Sequence, residues 1–417
     1  MRRRLAFVGM FSVMAVLATP AAAQDSGLAS LLLRFFSPDN PVVLQPNLVN
    51  PTQSHDAHFR VQPAAQAVLQ QINAGIATQI STFPIGSSSA GFTYTFDEGL
   101  GVYNRSTQSF GPVFTERPLT AGKGKFTLGV NYQTNSWDSL DGKDLENGDL
   151  QLFLTHEDTN RNANSLDLWF EGDIIKANLR IALETKTAVV YANYGVTERF
   201  DLSVAVPFQD VSLSAAIDTQ VEPLATSADP FIVHQFDTAG ATTKTYLETG
   251  TASGVGDVLV RAKYNFLRKP SASLAAFADL RLPTGDENEL LGSGATQTKL
   301  SLVAGGGTGR FSPRASLGYT FSSGGSEFTG DLPDEVYYTA GFDVVVHPRV
   351  TLTADFIGRT LLDYQTLVDR DRTFNFRFRT DPTPRTAVRS EVGAQTSNVS
   401  LLLGTAGLKI NPVGNLL

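Results

Sequence analysis

Residues 253–286 read SGVGDVLVRAKYNFLRKPSASLAAFADLRLPTGD. In the first arm Val258, Val260, Ala262, Tyr264 and Phe266 alternate with Asp257, Arg261, Lys263 and Asn265, the period of two of a strand with one apolar face. After a turn over residues 267–271 the even positions Ala272, Leu274, Ala276, Ala278, Leu280 and Leu282 are again apolar, with Ser273, Asp279 and Arg281 at odd ones. The phase survives the turn, so the two arms form a hairpin. Each arm has roughly the 9–11 residues that a tilted strand needs to cross a bilayer. A sheet in lipid must close on itself because its edge cannot be hydrated there. The stretch therefore predicts an all-β fold, a transmembrane antiparallel up-and-down β-barrel. A soluble β-sandwich with one wet face is the other reading, but its strands are usually shorter, about 5–6 residues. With the turn near Arg268 and Lys269, Arg261 lies opposite or diagonal to Asp279 and Asp257 likewise to Arg281, which sets these pairs in the lumen.

Similar alternation recurs along the chain. It begins at Phe92, Tyr94 and Phe96, returns at Phe110 to Phe114, and is clear at Phe126, Leu128, Val130 and Tyr132. It continues through Thr187 to Tyr194, through Phe200, Leu202, Val204, Val206 and Phe208, and beyond the opening hairpin at Leu300 to Ala304, Phe311 to Phe321, Val336 to Val346, Val350 to Phe356 and Val392 to Asn411. In the strand after Phe200 the phase flips, since Val211, Leu213, Ala215 and Ile217 are odd-numbered. A β-bulge near Pro207 to Asp210 would absorb the extra residue and accommodate the proline. The bulge marks either a bend near the rim or a gap through which an apolar solute leaves sideways. Turns at 195–199, 267–271, 305–309 and 347–349 are tight, while 217–254 and 366–388 are long, so the tight end faces the periplasm. The count is about 12 strands, an even number.

Arg2, Arg3 and Arg4, an apolar run from Leu5 to Leu17 and Ala21-Ala22-Ala23 make residues 1–23 a signal peptide, so the chain is exported. Residues 24–86 contain Pro38, Pro41, Pro46, Pro51 and Pro63 and no strand pattern. Within them Val61, Ala65, Val68, Leu69, Ile72, Ile76 and Ile80 recur at three- and four-residue steps, which predicts an amphipathic helix with Pro63 in its first turn. That segment is read as a hatch that packs Val68, Leu69, Ile72 and Ile76 inside the barrel; a periplasmic arm is the alternative. Residues 87–417 are the barrel.

Without the three leading arginines the chain has 30 basic and 41 acidic residues, a net charge of −11, which argues against nucleic acid as a partner. There is no cysteine, hence neither disulfides nor a Cys-ligated metal. The acidic stretch after Trp137 carries Asp138, Asp141, Asp144 and Asp149, whose spacing misses the calcium-loop template; it is read as an external loop. His55, His58, His156, His234 and His347 lie in no nucleophile motif, and a structural role is the expectation for each. No catalytic residue, metal site or cofactor is expected. Asp257, Arg261, Lys263, Asp279, Arg281, Arg314, Asp343, Asp355 and Arg359 are the lumen-facing candidates for a substrate pathway, and their mixed signs imply a self-paired, occluded interior.

The runs GVGDVLVRAKYNFL (254–267), ADLRLPTGD (278–286), LGSG (291–294) and GYTFSSGG (318–325) resemble the phenol-degradation (MetA-type) outer-membrane protein family, over about the last 230 residues. That family is distantly similar to the outer-membrane long-chain fatty acid transporters, barrels of about 14 strands with an N-terminal hatch. The resemblance implies an outer-membrane channel of a Gram-negative cell for uptake of small hydrophobic or aromatic compounds, with membrane lipid and apolar solutes as its partners. A general diffusion porin or a structural or adhesive barrel is the alternative, and an enzyme the third. The last arm reaches a turn at Asn411-Pro412-Val413-Gly414-Asn415 and stops at Leu417 without the terminal aromatic residue usual in such barrels. The chain is therefore expected to lack its last strands, a further pair bringing about 12 to 14.

Overall fold

The computed structural model describes residues 27–35, 44, 59–61, 63–82, 94–97, 102–105, 114–156, 169–229, 232–269, 271–307, 310–326 and 330–410. The signal peptide, His55, His58 and the turn after Ile410 lie outside these residues. Twelve strands of seven residues or more follow one another: β1 Phe126–Trp137, β2 Leu150–His156, β3 Ile174–Gly195, β4 Phe200–Glu222, β5 Thr243–Val255, β6 Val258–Arg268, β7 Ser273–Leu282, β8 Ala295–Gly305, β9 Phe311–Ser326, β10 Glu335–His347, β11 Val350–Phe376 and β12 Arg385–Ile410. All pair antiparallel within one rolled sheet. At the end with tight turns, here the lower end, the order is β1-β3-β4-β6-β7-β8-β9-β10-β11-β12; further up, β2 replaces β1 beside β3 and β5 replaces β6 beside β4. The ends of the sheet meet near the top, where Gln151 donates to the Ser390 carbonyl at 2.7 Å and Arg372 to that of Phe153 at 3.3 Å. Among the described residues no ladder joins β1 to β12.

One of the expected strands is not in the wall, and residues 110–113 of another lie outside the described residues. Tyr94–Asp97 pairs with Val102–Arg105 in a separate two-stranded sheet, and Phe114 opens an irregular run through residue 120; Phe92 and Phe110 lie outside the described residues. The acidic region after Trp137 is more than a loop: it holds a short hairpin, Ser139–Leu140 with Lys143–Asp144, and then β2. The reach from 217 to 254 likewise holds β5.

The phase flip in β4 has a different cause from the expected bulge. β3 and β4 pair without a register shift from Gly195↔Asp201 to Ile174↔Glu222. Leu202, Val204, Val206 and Phe208 point outward, and so do Asp210, Ser212 and Ser214, while Asp201, Ser203 and Gln209 and then Val211, Leu213, Ala215 and Ile217 are buried inside. The backbone never shifts phase. What changes is the solvent on each face: lipid outside and polar groups inside below Phe208, water outside and an apolar filling above it. From Phe200 to Phe208 the strand has about the length needed to cross a hydrocarbon core. Pro207, with no N–H, lies where β5 gives way to β6 as the neighbour of β4, between the last Phe208↔Val255 and first Ala205↔Leu259 pairs, so its missing donor interrupts no continuous ladder. The sheet carries its bulges elsewhere, at Asn265/Leu267, Val345/His347 and Leu361/Tyr364.

The outer face of the lower part is an apolar belt, with Val130 68%, Leu302 61% and Leu402 63% exposed. Tyr319 and Phe321 pack against each other at its upper edge, ring centroids 4.7 Å apart. Among the described residues no helix is long and apolar enough to cross a membrane; the strands make this an outer-membrane barrel. Inside the upper part lie a 3-10 turn, Leu28–Ser30, the short helix α1, Leu31–Arg34, and α2, Pro63–Thr82. Val68, Leu69, Ile72 and Ile76 of α2 are buried in one cluster with Leu28, Leu31, Leu213 and Leu367. Burying those four side chains contributes roughly 6–12 kcal/mol before the ordering cost.

Substitutions on β4 separate the two solvents. Val204→Lys is expected to destabilise the barrel by about 2–4 kcal/mol, and Ser212→Lys by less than about 0.5 kcal/mol, measured by guanidinium unfolding in lipid vesicles.

Candidate functional site

The lumen is occupied at two levels. In the lower part residues 114–121 run along the inside of the wall, held by charges that β6 to β11 present inward. Glu116 accepts from Arg261 and lies 3.4 Å from the Lys263 ammonium. Arg261 also donates to both oxygens of Asp279, at 2.6 and 2.7 Å, directly across the β6–β7 register as the sequence implied. Arg117 reaches Asp343 at 2.8 Å. Arg314 joins Asp343 at 3.0 Å and Asp355 at 2.5 Å, and also donates to the Thr115 hydroxyl. Asp355 in turn accepts from Thr115 at 2.6 Å and the Phe114 amide at 3.0 Å. Asn265 donates to the Pro118 carbonyl and the Asp201 carboxylate accepts from the Ala121 amide. Each of these charges thus has a counter-charge or backbone donor, which is what a group removed from water requires.

Six of the nine lumen candidates, Arg261, Lys263, Asp279, Arg314, Asp343 and Asp355, converge on this segment. Arg359 belongs to a second cluster higher up: it grips Glu335 at 2.6 Å, with Lys299 at 3.7 Å and the Thr320 hydroxyl at 2.8 Å from the same carboxylate. Asp257 does not pair with Arg281 through a hydrogen bond. It holds a turn, accepting from the Gly285 amide at 3.1 Å and from the Ser293 amide and hydroxyl at 2.9 and 2.8 Å. Sequence reading missed Glu116, Arg117, Asp201, Lys299 and Glu335. The run TERPLT at 115–120 does not alternate, and it places two adjacent charges beside a proline, a signal for a segment that is neither strand nor solvated turn.

Above, α2 fills the upper lumen. Gly75 lies where the helix passes between Leu140 and Tyr364: an added Cβ would sit 2.9 Å from Leu140 Cδ1 and 3.1 Å from the Tyr364 hydroxyl. Asn73 donates to the Ala29 carbonyl at 2.6 Å and ties α2 to the earlier turn. Burial raises the pKa of the Tyr364 phenol, with the charge of Asp141 adding to it. Burial likewise raises the carboxyl of Asp141, opposed by a hydrogen bond from the Leu367 amide. Beside α2 the long strands give way to residues 330–334: Gly330–Asp331 pairs with Gly325–Ser326 of β9, and the Asp334 carbonyl accepts from the Leu362 amide of β11 at 2.9 Å. β10 ends at Glu335, and above it β9 and β11 have no ladder between them among the described residues. A cavity of about 700 Å³ occupies this place, with a mixed lining: Ala67, Gln71 and Ala74 of α2, the apolar Leu332 and Leu362, and the polar Asp334, Asp363 and Tyr364.

The carboxylates of the acidic hairpin serve the backbone: Asp144 caps Glu146 and Asn147, and Asp149 caps Asp144. His234 Nδ1 donates to the carboxylate of buried Asp173 at 2.8 Å, and its ring packs against those of Phe59, His156 and Phe170. With both side chains wholly buried, the pair is out of a substrate's reach. Phe59 belongs to a short strand, Phe59–Val61, that pairs with Leu154–His156, so this cluster anchors the start of α2 to the upper wall.

Residues 175–375 match the family model described as "Putative MetA-pathway of phenol degradation". The resemblance read from the strands and turns holds over β3 to β11. No curated protein matches. Among solved structures, the crystal structure of an outer membrane channel from Pseudomonas putida F1 is similar at 14% identity and a TM-score of 0.34, covering 70% of this chain and 97% of its own.

Glu116→Ala removes the partner of Arg261 and Lys263 and is expected to loosen residues 114–121. In planar bilayers the variant should conduct several-fold more than the parent, and unfold at lower denaturant, since breaking a buried ion pair costs about 3–5 kcal/mol.

Proposed function

We propose that the chain is an outer-membrane channel for uptake of small apolar or aromatic compounds, with residues 24–86 as its hatch. The observation that carries this reading is the filling of the lumen at two levels, by the ion-paired segment below and by α2 above. A wide, wet passage suits sugars and ions; a lumen of this kind suits solutes that travel without a hydration shell. The cavity beside α2 supports the same reading. Its size is that of a small-molecule site, and its lining reaches from α2 to Tyr319, at the upper edge of the lipid-facing belt. An apolar solute concentrated in the outer leaflet would enter there. The family description, which names phenol degradation, agrees with an aromatic solute.

Leu69→Asp combined with Ile72→Asp places charge in the apolar packing of α2 and is expected to raise single-channel conductance several-fold. Cells lacking the protein should take up and grow on apolar aromatic substrates more slowly, with sugar uptake unchanged. Unchanged growth on those substrates together with lost sugar or ion uptake would instead make it a general porin.

A further inference from the structure

Between the two fillings, the inner wall carries charges that the lower clamp does not use. Arg281 on β7, Lys299 on β8 and Arg359 on β11 face Glu335 and Asp257. Glu335 is engaged by Arg359, Thr320 and Lys299, and Asp257 has its three donors from the Gly285–Ser293 turn. Asp279, the remaining neighbour, is held by both arms of Arg261. Arg281 lies within electrostatic range of Asp257, Arg359, Glu335 and Asp279, yet among the described residues it makes neither a hydrogen bond nor an ion pair. Three cations thus face two carboxylates, and the planar donor fork of one arginine has no protein partner in a half-buried place. Its nitrogens are not among the buried polar atoms that lack a partner, so the fork is open to the lumen.

The surroundings indicate what would satisfy it. A guanidinium fork matches the two oxygens of a carboxylate, and a monoanion cancels the excess. Two aromatic faces adjoin the cluster: the Tyr337 ring lies 4.0 Å from the Lys299 ammonium, and the Phe277 ring 4.6 Å from the Arg261 guanidinium. Tyr337 is opposite Arg359 in the β10–β11 register. We propose that Arg281, with Lys299 and Arg359, forms a lumenal binding site for the carboxylate of a small aromatic monoanion of the size of benzoate, whose ring lies against Tyr337. This rests on the reading that solutes pass through this lumen.

Equilibrium dialysis of labelled benzoate against the purified full-length protein in detergent tests it, with benzamide and inorganic phosphate as competitors and heat-modifiable migration as the check on folding. Benzoate should bind with one site per chain, benzamide and phosphate should compete poorly, and Arg281→Gln should weaken binding at least tenfold, with Arg281→Lys between the two. Arg180→Gln, on the outer face above the belt, should bind as the parent does. No binding by the parent, equal binding by Arg281→Gln, or displacement by benzamide as readily as by benzoate would overturn the proposal. If Arg281→Gln loses binding while cells lacking the protein take up aromatic solutes at the parental rate, the site stands and the transport reading falls.

Discussion

A strand that leaves the bilayer while still hydrogen-bonded to its neighbours must exchange its apolar face. In lipid every backbone donor and acceptor has to be paired within the sheet, so the ladder of β3 with β4 runs on unbroken from Gly195↔Asp201 to Ile174↔Glu222. Only the side chains can answer the change of solvent. Below Phe208 the outward residues are Leu202, Val204 and Val206; above it Asp210, Ser212 and Asp218 take their place, and Val211, Leu213 and Ile217 turn the inner face apolar. The upper part is thereby a water-soluble cup with an apolar lining, and an apolar lining left unfilled would be unstable. Leu69, Ile72 and Ile76 of α2, with Leu28 and Leu31, fill it.

The lower lumen poses the opposite problem. Its outer face is spent on lipid, so its inner face is polar and its charges are largely cut off from bulk water. Residues 114–121 supply counter-charges in both signs: Glu116 for Arg261 and Lys263, Arg117 for Asp343, and the Thr115 hydroxyl and Phe114 amide for Asp355. The wall and its filling are therefore one electrostatic unit, and neither is neutralised without the other. Arg281 stands outside that arrangement, which is why it marks the place where an external anion would fit.

The hairpin from Val258 to Leu282 was legible because its two faces meet two solvents of fixed identity, and the Arg261–Asp279 pair followed from the register alone. The helix at Pro63–Thr82 was legible from its spacing. β4 was misread at Phe208 because a period of two reports only which face is apolar, and a change of solvent and a change of backbone phase look alike in a single strand. Residues 114–121 were not legible as a lumenal segment. Their partners, from Asp201 to Asp355, lie far along the chain, and nothing local says that Thr115 and Glu116 face the inside of a barrel. The counter-charges at Lys299 and Glu335 sit in strands whose alternation was read correctly, but they become a cluster only when β8, β10 and β11 are brought side by side.

The change of solvent along β4 is tested most directly by spin-label accessibility. The chain has no cysteine, so single cysteines can be placed one at a time at positions from 202 to 220 in the protein reconstituted in lipid, and collision with oxygen compared with that of a water-soluble nickel chelate. Labels at 202, 204 and 206 are expected to favour oxygen, and labels at 210, 212 and 220 the chelate, with the odd positions 211, 213 and 215 shielded from both. Oxygen preference at 211, 213 and 215 would mean that the backbone shifts phase near Pro207 and that the upper part is not an apolar cup.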